Sequence, residues 1–125
     1  MTKFDEEYIK LLYRLVIQKS GGSFGIRSEA LLNSALETPY ATFDGKELFP
    51  SKIEKGARLC YGLISNHPFI DGNKRIGTLA MISFFEMNGI NIEFSDEELT
   101  ELALNIASGK YNYEDTLEFI KEREI

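Results

Sequence analysis

Nine residues near the middle of the chain, His67-Pro68-Phe69-Ile70-Asp71-Gly72-Asn73-Lys74-Arg75, decide how the rest of the sequence is interpreted. They join two apolar segments of helical periodicity and contain the single histidine of the chain. Because Pro68 disfavours a continuing helix, the upstream helix is expected to end near Asn66. Gly72 and Asn73 form a turn that leads directly into the next helix. The stretch is therefore predicted to be a helix–loop–helix junction.

Helices are predicted on both sides of this junction. The downstream helix begins near Asn73 and ends at Asn88, before Gly89. Its apolar residues surround the helix axis, which is typical of a buried central helix. The remaining helices are predicted at about Asp5 to Lys19, at Glu29 to Leu36 behind the N-cap Ser28, behind the capping boxes that open at Ser51 and Ser95, and from Asn112 onward.

One segment departs from the helical pattern. The stretches Tyr40 to Phe43 and Lys46 to Phe49 flank Asp44-Gly45, a dipeptide typical of a type I′ hairpin turn. A lone two-stranded hairpin is marginally stable, so it is expected to lie on the helical body. A second, short extended stretch is expected at Asn91 to Phe94. The sequence thus predicts a mainly α fold, a single domain over residues 1–125 with about six helices around a buried central helix and one small β-hairpin flap.

Composition narrows the class of protein. The chain has 125 residues, 43% of them hydrophobic, which suits one globular domain. A net charge of −6 without a basic cluster argues against a nucleic-acid-binding protein. Cys60 is the only cysteine and is expected to be a buried apolar residue. The acidic N-terminus does not resemble a signal peptide, and no apolar run approaches the roughly 20 residues that span a membrane, so a cytoplasmic location is expected.

The second half of the junction suits the binding of phosphate. A helix N-terminus has unpaired N–H groups and a partial positive charge, which attract phosphate oxygens. Gly72 permits a close approach of the backbone to a ligand. Lys74 and Arg75 can neutralise the charge of a polyphosphate. Asn73 is expected either to cap the helix or to contact the ligand.

Two residues of the junction suit catalysis. Asp71 is a natural Mg²⁺ ligand, since Mg²⁺ in nucleotide sites is held by one or two carboxylates together with phosphates. His67 can take a proton from an attacking hydroxyl near neutral pH. Phe69, which lies between them in sequence, is expected to point into the core and fix the loop.

Each of these residues also has an ordinary structural explanation when it is taken alone. A histidine before a proline is often only a helix terminator, and Asp-Gly-Asn is a common turn sequence. Lys74 and Arg75 could be a solvated pair, but cations are unfavourable at a helix N-terminus unless an anion is bound. The occurrence of all these residues in one stretch is less expected by chance than the occurrence of any one of them.

The nine residues resemble the signature of the Fic/Doc superfamily, His-x-Phe-x-Asp/Glu-Gly-Asn-x-Arg. Lys74 stands where the adenylyl-transferring Fic enzymes have Gly, and Thr78 stands where they carry a second Arg. Both departures resemble the Doc (death-on-curing) toxin branch. Softer resemblances extend over nearly the whole chain, at Gly25-Ile26-Arg27, Leu31 to Pro39, Ser95 to Glu98 and Ala107-Ser108-Gly109.

The resemblance implies an ATP- and Mg²⁺-dependent transferase. His67 would be the general base for a target hydroxyl and Asp71 the Mg²⁺ ligand. The hairpin flap would align the target segment by strand addition. Doc toxins transfer the γ-phosphate of ATP to a Thr of elongation factor Tu, which stops translation, and a small antitoxin commonly inhibits them. The nucleotide phosphates would be bound by the turn Gly72, Asn73, Lys74 and Arg75.

Two alternatives stay open. Fic relatives transfer AMP instead, although the absence of a second Arg at Thr78 counts against that reaction. A non-catalytic, partner-binding Fic/Doc module is the other alternative, and the intact His67 and Asp71 count against it. Self-inhibited Fic proteins carry a Ser/Thr-x-x-x-Glu-Gly/Asn motif, which the sequence lacks. Inhibition is therefore expected to come from another chain.

Overall fold

The computed structural model describes residues 4–124. Within them the chain forms six α-helices, a short 3₁₀ helix at Thr38–Tyr40 and one antiparallel hairpin. The mainly α fold with a single hairpin is thus confirmed. The helices are α1 (Glu6–Ser20), α2 (Glu29–Glu37), α3 (Lys52–Ser65), α4 (Asn73–Met87), α5 (Asp96–Ala107) and α6 (Tyr113–Lys121), and the strands are β1 (Thr42–Phe43) and β2 (Lys46–Glu47).

Side-chain caps explain where most of these helices begin. In five of the six described α-helices, the N-cap side chain accepts a hydrogen bond from a backbone N–H of the first turn. Helices α3, α5 and α6 have complete capping boxes. Helix α4 is the exception, because its N-cap is Gly72, in the left-handed conformation at φ 84°. The capping residues are Asp5, Ser28, Ser51, Ser95 and Asn112.

Two helices share the centre of the bundle. Helix α4 packs against α1, α3 and α5, and helix α3 packs against α2, α4, α5 and α6. The prediction of a central α4 is correct, and α3 has more neighbours than α4. Gly77 lets the two central helices approach closely, since a Cβ there would lie 2.5 Å from Ile64 Cγ1. The loop between α3 and α4 is therefore anchored by the most buried part of the molecule.

The hairpin has the predicted turn and shorter strands than predicted. Asp44 and Gly45 both have positive φ, at 53° and 76°, as a type I′ turn requires. The prediction of strand at Tyr40 is wrong, because Tyr40 belongs to the 3₁₀ helix Thr38–Tyr40, whose first turn contains Pro39. Beyond β2, the Leu48 N–H still donates to Ala41 O at 3.0 Å. The second extended stretch is reduced to an isolated bridge between Ile92 and Glu124.

Cys60 is fully buried in α3, as expected. Burial raises the pKa of its thiol to about 12, so the reactive thiolate is not formed at neutral pH. None of the helices between residues 4 and 124 is both long enough and apolar enough to cross a bilayer.

Candidate active site

The junction between α3 and α4 is fixed to the core by an aromatic stack. Phe69 is completely buried, which confirms its predicted orientation. Its ring stacks on that of Tyr13 in α1 with centroids 3.8 Å apart. His67, two residues earlier, is exposed and has a left-handed backbone at φ 51°. Because such a conformation is unfavourable for histidine, the neighbouring contacts must hold it in place.

Those contacts come from the segment before α2. The Arg27 guanidinium donates to His67 O at 2.7 Å and to Asn66 O at 2.9 Å. The backbone N–H groups of Arg27 and Ser28 both donate to Pro68 O, at 2.7 and 3.0 Å. Arg27 thus positions His67, the candidate catalytic residue, by binding the backbone carbonyl of His67. Sequence reasoning missed this role, because no local pattern reports a contact across about 40 residues of chain.

Asn73 locks the loop from within. Its Oδ1 accepts from the Phe69 N–H at 2.9 Å, and its Nδ2 donates to Phe69 O, also at 2.9 Å. The expectation that Asn73 could be the helix cap is wrong, since Gly72 holds that position and Asn73 is the first residue of α4. Asn73 is buried, and its amide contacts the imidazole of His67.

The same amide determines which nitrogen of His67 carries the proton. The two backbone bonds to Phe69 fix the orientation of the Asn73 amide, and its Nδ2 lies 3.2 Å from His67 Nδ1. An amide nitrogen can only donate, so Nδ1 must accept. A neutral imidazole has one N–H, and in this network the proton is assigned to Nε2.

Asp71 is held as a carboxylate at the start of α4. Its Oδ1 accepts from the Gly72 N–H at 2.8 Å and its Oδ2 from the Ser23 N–H at 3.3 Å. The hydrogen bonds from Gly72 and then Ser23 lower the pKa of Asp71, and the charges of Arg75 and Lys74 lower it further. The side chain is half exposed, so the carboxylate keeps lone pairs that another ligand can use.

An open cavity of about 220 Å³ lies at this N-terminus. The first turn of α4 has no side-chain cap and no acidic residue, and the exposed Lys74 is its second residue. All six residues predicted from the sequence to form a site line the cavity. The lining consists of Ile64, His67, Asp71, Gly72, Asn73, Lys74, Arg75 and Ala107.

Arg75 is engaged within the free protein. Its Nη1 donates to Gly21 O at 3.2 Å, and its Nη2 lies 3.9 Å from Asp71 Oδ1. Three residues later, Thr78 donates its hydroxyl to the backbone carbonyls of Lys74 and Arg75, both at 3.2 Å. The Thr78 side chain is uncharged and its hydroxyl is used within the helix, in contrast to the Arg of the Fic pattern.

The residues present fit a nucleotide with Mg²⁺. The described residues contain no group of three or more His, Cys, Asp or Glu side chains that could hold a metal. A single accessible carboxylate, Asp71, suits a cation that is shared with substrate phosphates. The uncapped N–H groups of α4, with Lys74 and Arg75, suit the phosphates themselves.

A segment that was not among the predicted site residues also reaches the site. Residues 21–25, here called the glycine loop, follow α1 and lie against Asp71 and Arg75. A Cβ on Gly22 would be only 2.6 Å from Asp71 Oδ2. The Gly21-Gly22 pair was the signal for such an approach, but glycines after a helix are more often a simple stop.

Comparisons with known proteins agree with the motif. Residues 3–85 match the model of the Fic/DOC family. The chain is also similar to a protein of Mycolicibacterium smegmatis named Toxin Doc, with 32% identity over 90 residues, which covers 70% of this chain and 69% of that protein. The family match ends before α5, so it does not bear on the softer resemblances in the C-terminal third.

Proposed function

Because the chain belongs to the Fic/DOC family, in which members are transferases, we propose that it is a Doc-like toxin with kinase-type activity. It transfers the γ-phosphate of ATP to a Ser or Thr hydroxyl of a translation factor, with elongation factor Tu as the first candidate. The similarity to a protein named Toxin Doc supports this branch over the AMP-transferring one. Transfer to a translation factor places its action in the cytoplasm.

One observation carries the proposal. The only described α-helix without a side-chain cap, α4, begins at a cavity lined by His67, Asp71, Lys74 and Arg75. In each of the other five described α-helices the N-cap side chain accepts a hydrogen bond from one backbone N–H of the first turn. At α4 those groups and the exposed Lys74 face the cavity, where an anion can bind, with Arg75, a carboxylate and an imidazole beside them.

The roles of the residues follow from this arrangement. The α4 N-terminus, Lys74 and Arg75 bind the phosphates, and Asp71 would hold Mg²⁺, which supplies charge neutralisation when it is bound. His67 accepts the proton of the target hydroxyl. In the free protein the Asn73 amide contacts Nδ1, and the tautomer assigned from this contact has its proton on Nε2. Base action therefore requires that Asn73 release Nδ1 when substrates bind.

The hairpin is the proposed docking element for the target. It presents short strands whose outer edge is exposed, with Phe43 75% accessible to solvent. An extended target segment can add to such an edge through backbone hydrogen bonds. Lys55 ties the base of the hairpin to α3 through Glu47 and the carbonyl of Phe49.

The test uses ATP labelled at the α or the γ position, with purified elongation factor Tu and, separately, a bacterial lysate. Transfer of the γ label by the wild type and a loss of roughly 10²–10⁴-fold in His67→Ala are expected. ATP affinity should be nearly unchanged in His67→Ala, because the base acts on the hydroxyl. Transfer of the α label would instead establish AMP transfer, and full activity of His67→Ala would contradict the assigned base.

Inhibition is proposed to occur in trans, by a small antitoxin protein, because the sequence lacks the inhibitory motif of self-inhibited Fic proteins. Co-expression with the product of a short neighbouring reading frame should restore growth that the toxin alone arrests. If wild-type chain and His67→Ala are equally harmless to cells without such a partner, the toxin assignment is wrong.

A further inference from the structure

The glycine loop touches both charged groups of the candidate site. Ser23 N–H donates to Asp71 Oδ2 at 3.3 Å across 48 residues of chain, and Gly21 O accepts from Arg75 at 3.2 Å. The close approach depends on Gly22, which has φ 111° and leaves only 2.6 Å between a would-be Cβ and the Asp71 carboxylate. The contact is therefore made by the backbone of the loop, and a side chain at Gly22 would displace the Asp71 carboxylate.

The loop itself is rigidly held on the core. The Tyr13 hydroxyl accepts from the Gly25 N–H at 3.3 Å and lies 3.2 Å from Gly25 O and 3.3 Å from Ser23 O. Tyr13 is 1% exposed, and its ring stacks on Phe69 of the junction. One buried side chain thus fixes the distance between the loop and the segment that carries Asp71.

These contacts constrain the carboxylate in a specific way. The Gly72 N–H binds one oxygen of Asp71 from within the junction, and the Ser23 N–H binds the other from the loop. Without the second bond, the carboxylate could rotate about its Cβ–Cγ bond. With both bonds, each oxygen keeps one remaining lone pair in a fixed direction, and Asp71 lines the cavity.

We propose that the glycine loop is a positioning element of the site, in which the Ser23 backbone N–H orients Asp71 for a divalent cation bound with nucleotide phosphates. The inference rests on the proposed function. It goes beyond the nine-residue motif by adding a second chain segment, 48 residues away, that shapes the cation site. Ser23 acts through Asp71 and is a positioning residue.

The test compares Ser23→Pro, which removes the N–H donor, with Ser23→Ala, which keeps it and removes only the hydroxyl. ATP binding is measured by calorimetry on the full chain, with Mg²⁺ and with EDTA. In Mg²⁺, Ser23→Pro should bind ATP about tenfold more weakly than Ser23→Ala, the effect of one hydrogen bond to a charged group. In EDTA the two variants should differ by less than about twofold, because no cation is then bound to Asp71.

A second pair covers the case in which Ser23→Pro does not fold. Gly22→Ala and Gly21→Ala both place an alanine at positive φ, but only the Gly22 variant clashes with Asp71, since a Cβ on Gly21 has no neighbour within 4 Å. Gly22→Ala should show the larger loss of Mg²⁺-dependent affinity. Equal affinities within each pair, in a wild type that binds ATP with Mg²⁺, would overturn the loop proposal alone. A wild type that binds no ATP would overturn the proposed function, and the loop proposal with it.

Discussion

Replacement of Lys55 by methionine is expected to loosen the hairpin from helix α3. Lys55 is 1% exposed, and its Nζ lies 2.9 Å from Glu47 Oε1. The same ammonium donates to Phe49 O and lies 6.0 Å from the centre of the Tyr40 ring. Methionine has a similar length and no donor, so the substitution removes the polar contacts while it keeps most of the packing.

The expected change in the free energy of unfolding follows from what each contact partner of Lys55 loses. Glu47 is half exposed, so water can solvate its carboxylate after the change. Phe49 O loses its donor, which costs about 1–3 kcal/mol where water cannot replace it. Removal of the buried ammonium offsets part of that loss, because the ammonium no longer has to be desolvated when the chain folds. A net loss of about 1–2 kcal/mol in the free energy of unfolding is expected, with a fall in Tm of about 3–10 °C.

The assay combines thermal melting with hydrogen exchange of the peptide that covers residues 42–49. Lys52→Met is the matched control, since Lys52 lies one turn earlier in α3, is exposed, and donates to Asn88 O at 3.0 Å. The control should lose less than about 0.5 kcal/mol and leave exchange in the hairpin unchanged. If Lys55→Met and Lys52→Met melt alike, with equal protection of the hairpin, Lys55 is not its tether.

Three further predictions concern the junction. Asp71→Asn should raise the Mg²⁺ concentration needed for ATP turnover, because it removes a negative ligand; an unchanged Mg²⁺ dependence would make Asp71 only a turn residue. Lys74→Gly should change the free energy of unfolding by less than about 1 kcal/mol, since a cation at a helix N-terminus is unfavourable, yet strongly weaken γ-label transfer. Full kinase activity in this variant would contradict the role of Lys74. In ¹⁵N spectra of the single histidine, wild-type His67 should carry its proton on Nε2 and Asn73→Asp should move it to Nδ1, whereas identical spectra would contradict the Asn73 contact.

The elements that the sequence predicted correctly are those with local signals. Ser28, Ser51, Ser95 and Asn112 cap the helices that they were expected to open, because a capping bond spans only three residues. The Asp44-Gly45 turn is equally local. The motif residues were found because they are contiguous, and the loop that carries them brings their side chains to one cavity.

The contacts that sequence reasoning could not predict join segments far apart in the chain. Arg27 reaches His67 O, and Ser23 reaches Asp71, only because α1 and α2 fold back on the junction. Asn73 was expected either to cap the helix or to contact the ligand, yet its amide pairs with the backbone of Phe69. The buried position of the Asn73 amide depends on the left-handed Gly72, which takes the N-cap position and places Asn73 inside the first turn of α4.

The missing cap of α4 makes the stability of this protein depend on its ligand. A capping side chain typically stabilises a helix by about 1 kcal/mol relative to alanine and by about a few tenths relative to glycine, and the free protein forgoes that contribution at one of its two central helices. An anion that binds there stabilises the native state by mass action, by about 2.7 kcal/mol at a hundredfold excess over Kd. The melting temperature is thus a direct reporter of occupancy, and nucleotides can be ranked by it before any protein target is known.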